Sequence, residues 1–169
     1  LKSYPNALLI LVPRHFERFD KVKKLINNSG LTLASRSKKD EVKRSTQVLL
    51  GDTIGELNFL YSLSDVAFVG GSLIDHGGQN LLEPAAQSLA LLSGPSLRNF
   101  SDISEQLKQN EGLKIVNDFR ELSDRFIEYI EDHKARERAG NNALEVFVKN
   151  RGALRNISYH LEPLLKETM

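Results

Sequence analysis

A chain of 169 residues, 40% apolar and 27% charged, has the make-up of one globular domain large enough for a real core. Its net charge of +1 gives no global attraction to nucleic acid, and the absence of cysteine excludes structural disulfides and cysteine-ligated zinc or iron–sulfur sites. No apolar run approaches the roughly 18–20 residues of a membrane span.

The chain lacks an initiator Met, and its first strand follows almost at once. That points to a piece of a longer protein cut at a domain boundary. "ALLILV" (Ala7 to Val12) is a continuous apolar run closed by Pro13, as in a strand buried on both faces of a parallel sheet. Phe16, Phe19, Val22, Leu25 and Ile26 have helical spacing, and Gly30 supplies a stop. "LTLAS" predicts a short strand. "RSKKDEVKRS" is a charged loop, read as solvated and mobile. "TQVLLGDT" predicts a strand running into a turn, "GELNFLYSLS" a short helix, and "DVAFVGG" another buried strand.

"NLLEPAAQSLA" predicts a helix beginning at Asn80, and "LALLSGP" a strand ending in a break. "FSDISEQLKQNEG" predicts a helix and "LKIV" a strand. From Asn117 the pattern is helical to the end, with breaks expected near Gly140 and Gly152. Strands and helices alternate about six times. This predicts one α/β domain over residues 1–169, a doubly wound, Rossmann-like and mostly parallel sheet with extra C-terminal helices. In such sheets ligands bind at the carboxyl ends of the strands. Three loops lie there: "PRH", "GDTIGE" and "GGSLIDHGGQN".

In the third loop, Gly70, Gly71, Gly77 and Gly78 let the backbone turn through positive φ or come close to another group. Asn80 and Glu83 then leave two readings open. Asn80 caps a helix with Glu83 folded back on the cap, or Asn80 meets a phosphate at the helix N-terminus while Glu83 holds a ribose diol. Thr53 and Glu56 repeat the capping-box spacing, against a reading in which Ile54 and Gly55 touch a base edge. Arg14, between a strand and a helix, has the position of a phosphate fork. His15 beside it is read as structural. His76 has no partner at metal-ligand spacing, and no metal site is expected. The loops match neither G-x-G-x-x-G nor G-x-x-x-x-G-K-[ST], which disfavours a dinucleotide dehydrogenase and a P-loop enzyme.

Taken together, "PRHFERF", "LGDTIGELNFLYSLSDVAFVGGSL" and "GGQNLLEPAA" resemble the 3-deoxy-D-manno-octulosonic acid (Kdo) transferases. The resemblance runs from about Ala7 to Phe100, with "NRGAL" (Asn150 to Leu154) a fainter continuation. It implies a two-domain GT-B glycosyltransferase of which this chain is the C-terminal, donor-binding half. The family moves Kdo from CMP-Kdo to a lipid A precursor, without a metal, at the cytoplasmic face of the inner membrane. It implies that Arg14 binds the CMP phosphate and that Ile54, Gly55 and Glu56 hold the cytidine. Ser72, Gly78, Gln79 and Asn80 would line the phosphate, and Glu83 would hold the ribose. The general base and the acceptor surface would belong to the N-terminal domain, absent from this chain, so the fragment alone is expected to be inactive. The sequence departs from the family at Phe16 and Leu81, where proline is common, at Ile54 for methionine, and at Gln79 for histidine. Two alternatives share the same loops: a half-enzyme using a UDP-sugar, and a non-catalytic Rossmann-like interaction module.

Overall fold

A computed structural model describes residues 4–166, with side chains described for 4–152. Contacts divide the chain into two compact units, Leu1–Leu63 and Ser64–Met169. In the first, the apolar run "ALLILV" is strand only at its centre, β1 (Leu9–Leu11). A 3-10 turn (Phe16–Arg18) leads into α1 (Phe19–Asn28). Strands β2 (Leu33–Ser35) and β3 (Val48–Leu50) and helix α2 (Leu57–Ser62) follow. All pairings are parallel, in the order β1-β3-β2, with Leu11 and Ser35 both level with Leu50.

Both faces of this sheet are covered. Val48 and Leu50 pack with Ile26 and Val22 of α1, while Leu49 and Ala34 pack with Leu60 of α2. The alternation is the pleat of the strand, and burial on both faces explains why the central strand reads as an unbroken apolar run. β1 lies at the margin of its three-stranded sheet, and Leu8 and Leu9 remain partly exposed.

The second unit has the same logic. β4 (Val66–Val69), β5 (Ala90–Ser93) and β6 (Leu113–Ile115) are parallel, with β5 central and wholly buried. Between them lie α3 (Leu82–Ala85) and α4 (Ser101–Gln109), and after them α5 (Phe119–Glu131) and α6 (His133–Lys166). Ala90, Leu92 and Val116 share a core with Tyr129 of α5 and Ala139 of α6. Asp118 caps α5 through the backbone N–H groups of Arg120 and Glu121.

Three expectations change. The helix expected from Asn80 shrinks to the single turn of α3, because Ser88 adopts φ +56° and the chain re-enters a strand at Ala90. The C-terminal helices break at Asp132, whose carboxylate accepts from Ala135 N–H, and not at Gly140 or Gly152. Gly140 serves packing instead: a Cβ there would lie 2.0 Å from the carbonyl oxygen of Ser88. The loop after β2 is pinned at its start, as described below, and is not simply solvated. The sequence "ALRNISYHLEPLL" predicts apolar surface that a second domain would cover, and it falls outside the residues whose side chains are described.

Candidate functional site

In the first unit the parallel register brings three strand ends level, so Arg14, Arg36 and the turn 52–56 follow the same edge of one sheet. Arg14 is exposed, and its guanidinium has no hydrogen-bond or ion-pair partner among the described residues. His15 stands at the start of the 3-10 turn, where its side chain makes no cap.

The turn after β3 is built by charge. Arg36 forks onto Glu56, with Nε 3.0 Å from Oε2 and Nη2 2.8 Å from Oε1. The Thr53 hydroxyl donates to Oε2 of the same carboxylate. The capping box that Thr53 and Glu56 suggest does not form: the two side chains bond each other, and α2 begins without a side-chain cap. The Arg36 hydrogen bonds, then Thr53, hold the Glu56 carboxyl below its ordinary range. Gly55 takes φ +83°, and Ile54 between these groups is 85% exposed.

Behind them sits Asp52. Its Oδ2 accepts from Ser35 Oγ at 2.6 Å and Ser37 Oγ at 2.7 Å, and its Oδ1 from Ser37 N–H at 2.8 Å. Burial pushes this carboxyl up, but these hydrogen bonds outweigh it and hold it low. Arg36 and Asp52 were both missed in the sequence. The rule that selects the other loops, polar residues at a strand's carboxyl end, applies equally to "SRS" at the end of β2 and finds Arg36, whereas Asp52 lies within the selected "GDTIGE" loop and no local signal sets it apart there.

In the second unit the glycine loop closes on itself and on a neighbouring segment. Gly78 N–H donates to Gly71 O at 3.3 Å, and the Gln79 side chain lies against Gly71. Gly71, Gly77 and Gly78 all have positive φ. Ser96 Oγ accepts from Gly77 N–H and donates to Asp75, which also pairs with Arg98 at 2.9 Å. So the chain itself occupies the space that Gly77 and Gly78 leave open. At Gly70 alone of the four, φ is not positive and a Cβ would meet nothing within 4 Å.

Ser72 is fully buried. Its hydroxyl donates to Val69 O at 2.7 Å and accepts from Gly94 N–H at 2.8 Å, so the side chain holds the loop together and is not turned toward a ligand. Asn80 accepts from Leu82 N–H through Oδ1, and its amide donates to Glu83 Oε1 at 2.9 Å. The capping reading is thus met in part, with the Asn80 side chain, not its backbone, answering Glu83. A one-turn α3 carries little of the dipole that a full helix would offer an anion. Asn80 is exposed and Glu83 half-buried. A cavity of about 630 Å³ between Asp75, Ser96, Arg98, Ser101 and Lys108 includes none of the predicted residues. Among the described residues no cluster of His, Asp and Glu is suited to a metal, and no helix is long and apolar enough to cross a membrane.

Parallel strands covered on both faces, with polar turns at their carboxyl ends, make this a Rossmann-like α/β protein. No family model matches the chain. It is 42% identical over 170 residues to the 3-deoxy-D-manno-octulosonic acid transferase of Haemophilus influenzae, a match spanning 100% of this chain and 40% of that protein. It is 44% identical over 99 residues to the transferase of the same name from Bordetella pertussis. Among solved structures, the C-terminal CMP-Kdo binding domain of WaaA from Acinetobacter baumannii superposes with a TM-score of 0.83 at 36% identity, over 86% of this chain and 76% of that one. The chain belongs to the 3-deoxy-D-manno-octulosonic acid transferases, a family of glycosyltransferases. It spans less than half the length of the Haemophilus relative.

Proposed function

We propose that this chain is the CMP-Kdo-binding half of a glycosyltransferase that moves Kdo to a lipid A precursor in lipopolysaccharide assembly. The observation that carries the reading is the likeness, across most of the chain, to a domain described as binding CMP-Kdo. Each unit by itself supplies groups suited to part of such a nucleotide. As CMP leaves, negative charge grows on its phosphate, and an unpaired guanidinium at a strand's carboxyl end stabilises that charge. Arg14 is such a group. Ile54, Gly55 and Glu56 form an exposed, fixed turn suited to a base edge, and Asn80 and Glu83 present an amide and a carboxylate to a ribose and phosphate. Ser72 would shape this loop from inside, with backbone groups around Gly70 and Gly71 making the contact. The proposal needs no metal.

An acceptor hydroxyl also needs a general base. In this proposal the base, the lipid-bearing acceptor and any attachment to the cytoplasmic face of the inner membrane belong to the rest of a longer enzyme, with a second domain of the GT-B type. The chain alone then binds donor and transfers nothing. Titration with CMP and with UMP, followed by amide NMR, tests this. The expected result is a preference for CMP, with a Kd near millimolar, about −4 kcal/mol, and a loss of at least about 10-fold in Arg14→Ala, one charge-assisted contact. A preference for UMP would move the donor to a UDP-sugar, and no binding of either would favour an interaction module. Kdo transfer by the chain alone would refute its inactivity.

A further inference from the structure

Arg36 is not among the residues that the family resemblance assigns, yet it is the most constrained cation of the first unit. Its backbone N–H donates to Leu50 O at 3.0 Å, extending the β2–β3 ladder by one residue. Ser35 and Ser37 on either side of it are both tied to Asp52. Its guanidinium lies 5.5 Å from the centre of the Phe59 ring, on α2, and forks onto Glu56. A fork plus a ring face fixes the plane of a guanidinium, which a point charge such as lysine cannot reproduce.

Apart from the hydrogen bond that Leu60 N–H of α2 donates to Glu56 O at 3.0 Å, the turn that the Glu56 carboxylate anchors has little else to hold it. Ile54 projects into solvent, a Cβ at Gly55 would meet nothing, and α2 starts without a side-chain cap. The anchor of residues 53–56 is therefore the Glu56 carboxylate, gripped by Thr53 from one side and Arg36 from the other. We infer that Arg36 is a positioning residue for nucleotide recognition: held by the Asp52 clamp and the Phe59 ring, it sets the Ile54–Glu56 turn and thereby the preference between pyrimidine bases. This rests on the reading above, in which that turn meets the base edge. Cytosine and uracil exchange donor for acceptor along that edge, so a backbone group displaced slightly loses its discrimination.

The test compares the wild-type chain with Arg36→Ala, Arg36→Lys and the charge control Lys43→Ala, using CMP and UMP as probes. Arg36→Ala is expected to raise the CMP Kd about 5-fold or more, as the loss of a charge-assisted fork implies, and to bring the CMP and UMP affinities together. Arg36→Lys recovers part of the affinity but not the base preference, and Lys43→Ala changes neither. Without any ligand, the amides of Ile54 and Gly55 lose order in Arg36→Ala, and the Glu56 carboxyl titrates at higher pH. Unchanged affinity and base preference in Arg36→Ala would overturn the inference. If the wild type binds neither nucleotide, the proposed function fails. The order of the ligand-free Ile54 and Gly55 amides then still decides the role of Arg36, for which unchanged amides are the overturning result. Should Arg36→Ala fail to fold, Arg36→Lys and Glu56→Gln carry the same comparison.

Discussion

The four glycines of the loop after β4 look equivalent on paper and are not equivalent in space. Gly78 has φ +73°, and a Cβ there would lie 2.7 Å from Leu97 Cδ2 and 3.1 Å from Ser96 O. An alanine at this position meets the left-handed penalty of about 1–2 kcal/mol per residue, and besides it an overlap with the Leu97 side chain and a tight contact with the Ser96 carbonyl. Gly70 meets neither obstacle. Gly78→Ala is expected to lose about 2 kcal/mol or more in urea unfolding, and Gly70→Ala to stay within about 0.5 kcal/mol. Equal losses would show that the two positions do the same work. Gly70 is then the one place in this loop where a methyl group probes the approach of a ligand without disturbing the fold. Its companions answer why the chain clusters glycine here: most of them let the loop press against its own neighbours.

At the scale of elements, α6 shows packing overruling propensity. A glycine inside a helix costs up to about 1 kcal/mol relative to alanine, so Gly140→Ala ought to stabilise an isolated helix. Here a Cβ would come within 2.0 Å of Ser88 O, at the turn where α3 gives way to β5. Gly112 repeats the arrangement, with its missing Cβ 2.7 Å from Ala143 N. The helix backbone lies so close to the chain just before β5 and just before β6 that a methyl group has no room. Gly140→Ala is therefore expected to lower the melting temperature despite the better helix former. A rise would mean that the contact relaxes freely. The loop after β2 teaches the same lesson from the polar side. Its cations suggest solvation, but Asp40 accepts from Ser35 N–H at 3.0 Å and Asp52 takes both serines, so its first residues are ordered by acids five and more positions away.

For the whole molecule, pH response follows from a few buried groups. Tyr129 is 1% exposed, its hydroxyl has no partner among the described residues, and burial pushes its pKa up to about 12. A phenol whose folded value is raised contributes stability that is complete below its unfolded value, about 10, and is lost as pH rises through the folded one. The second unit should thus weaken between about pH 10 and 12. Tyr129→Phe removes an unsatisfied buried hydroxyl, so it should hold or raise the melting temperature at neutral pH and abolish the alkaline loss. A large destabilisation at neutral pH would mean that the hydroxyl has a partner.

Much of this molecule can be read without coordinates. Six short apolar runs, each closed by glycine, proline or a polar turn, dictate six strands through the simple need to bury them, and the helical spacing between most of them dictates crossovers and parallel pairing; between β2 and β3 a charged loop makes the crossover instead. The three loops at strand ends, with Arg14, the Ile54–Glu56 turn and Asn80–Glu83, were legible because a strand's end and the chemistry that follows it are adjacent in the chain. Partnership was not legible. Thr53 and Glu56, or Asn80 and Glu83, satisfy a local capping rule that considers only residues three apart, and at Glu56 the competitor is an arginine twenty positions earlier. Only the register of β2 against β3, which sets Ser35 level with Leu50, delivers Arg36 to Glu56 and the two serines to Asp52. The break at Asp132 and the silence of Gly140 have the same origin: whether a glycine ends a helix or admits a neighbour depends on what packs against it, and that is decided by the fold.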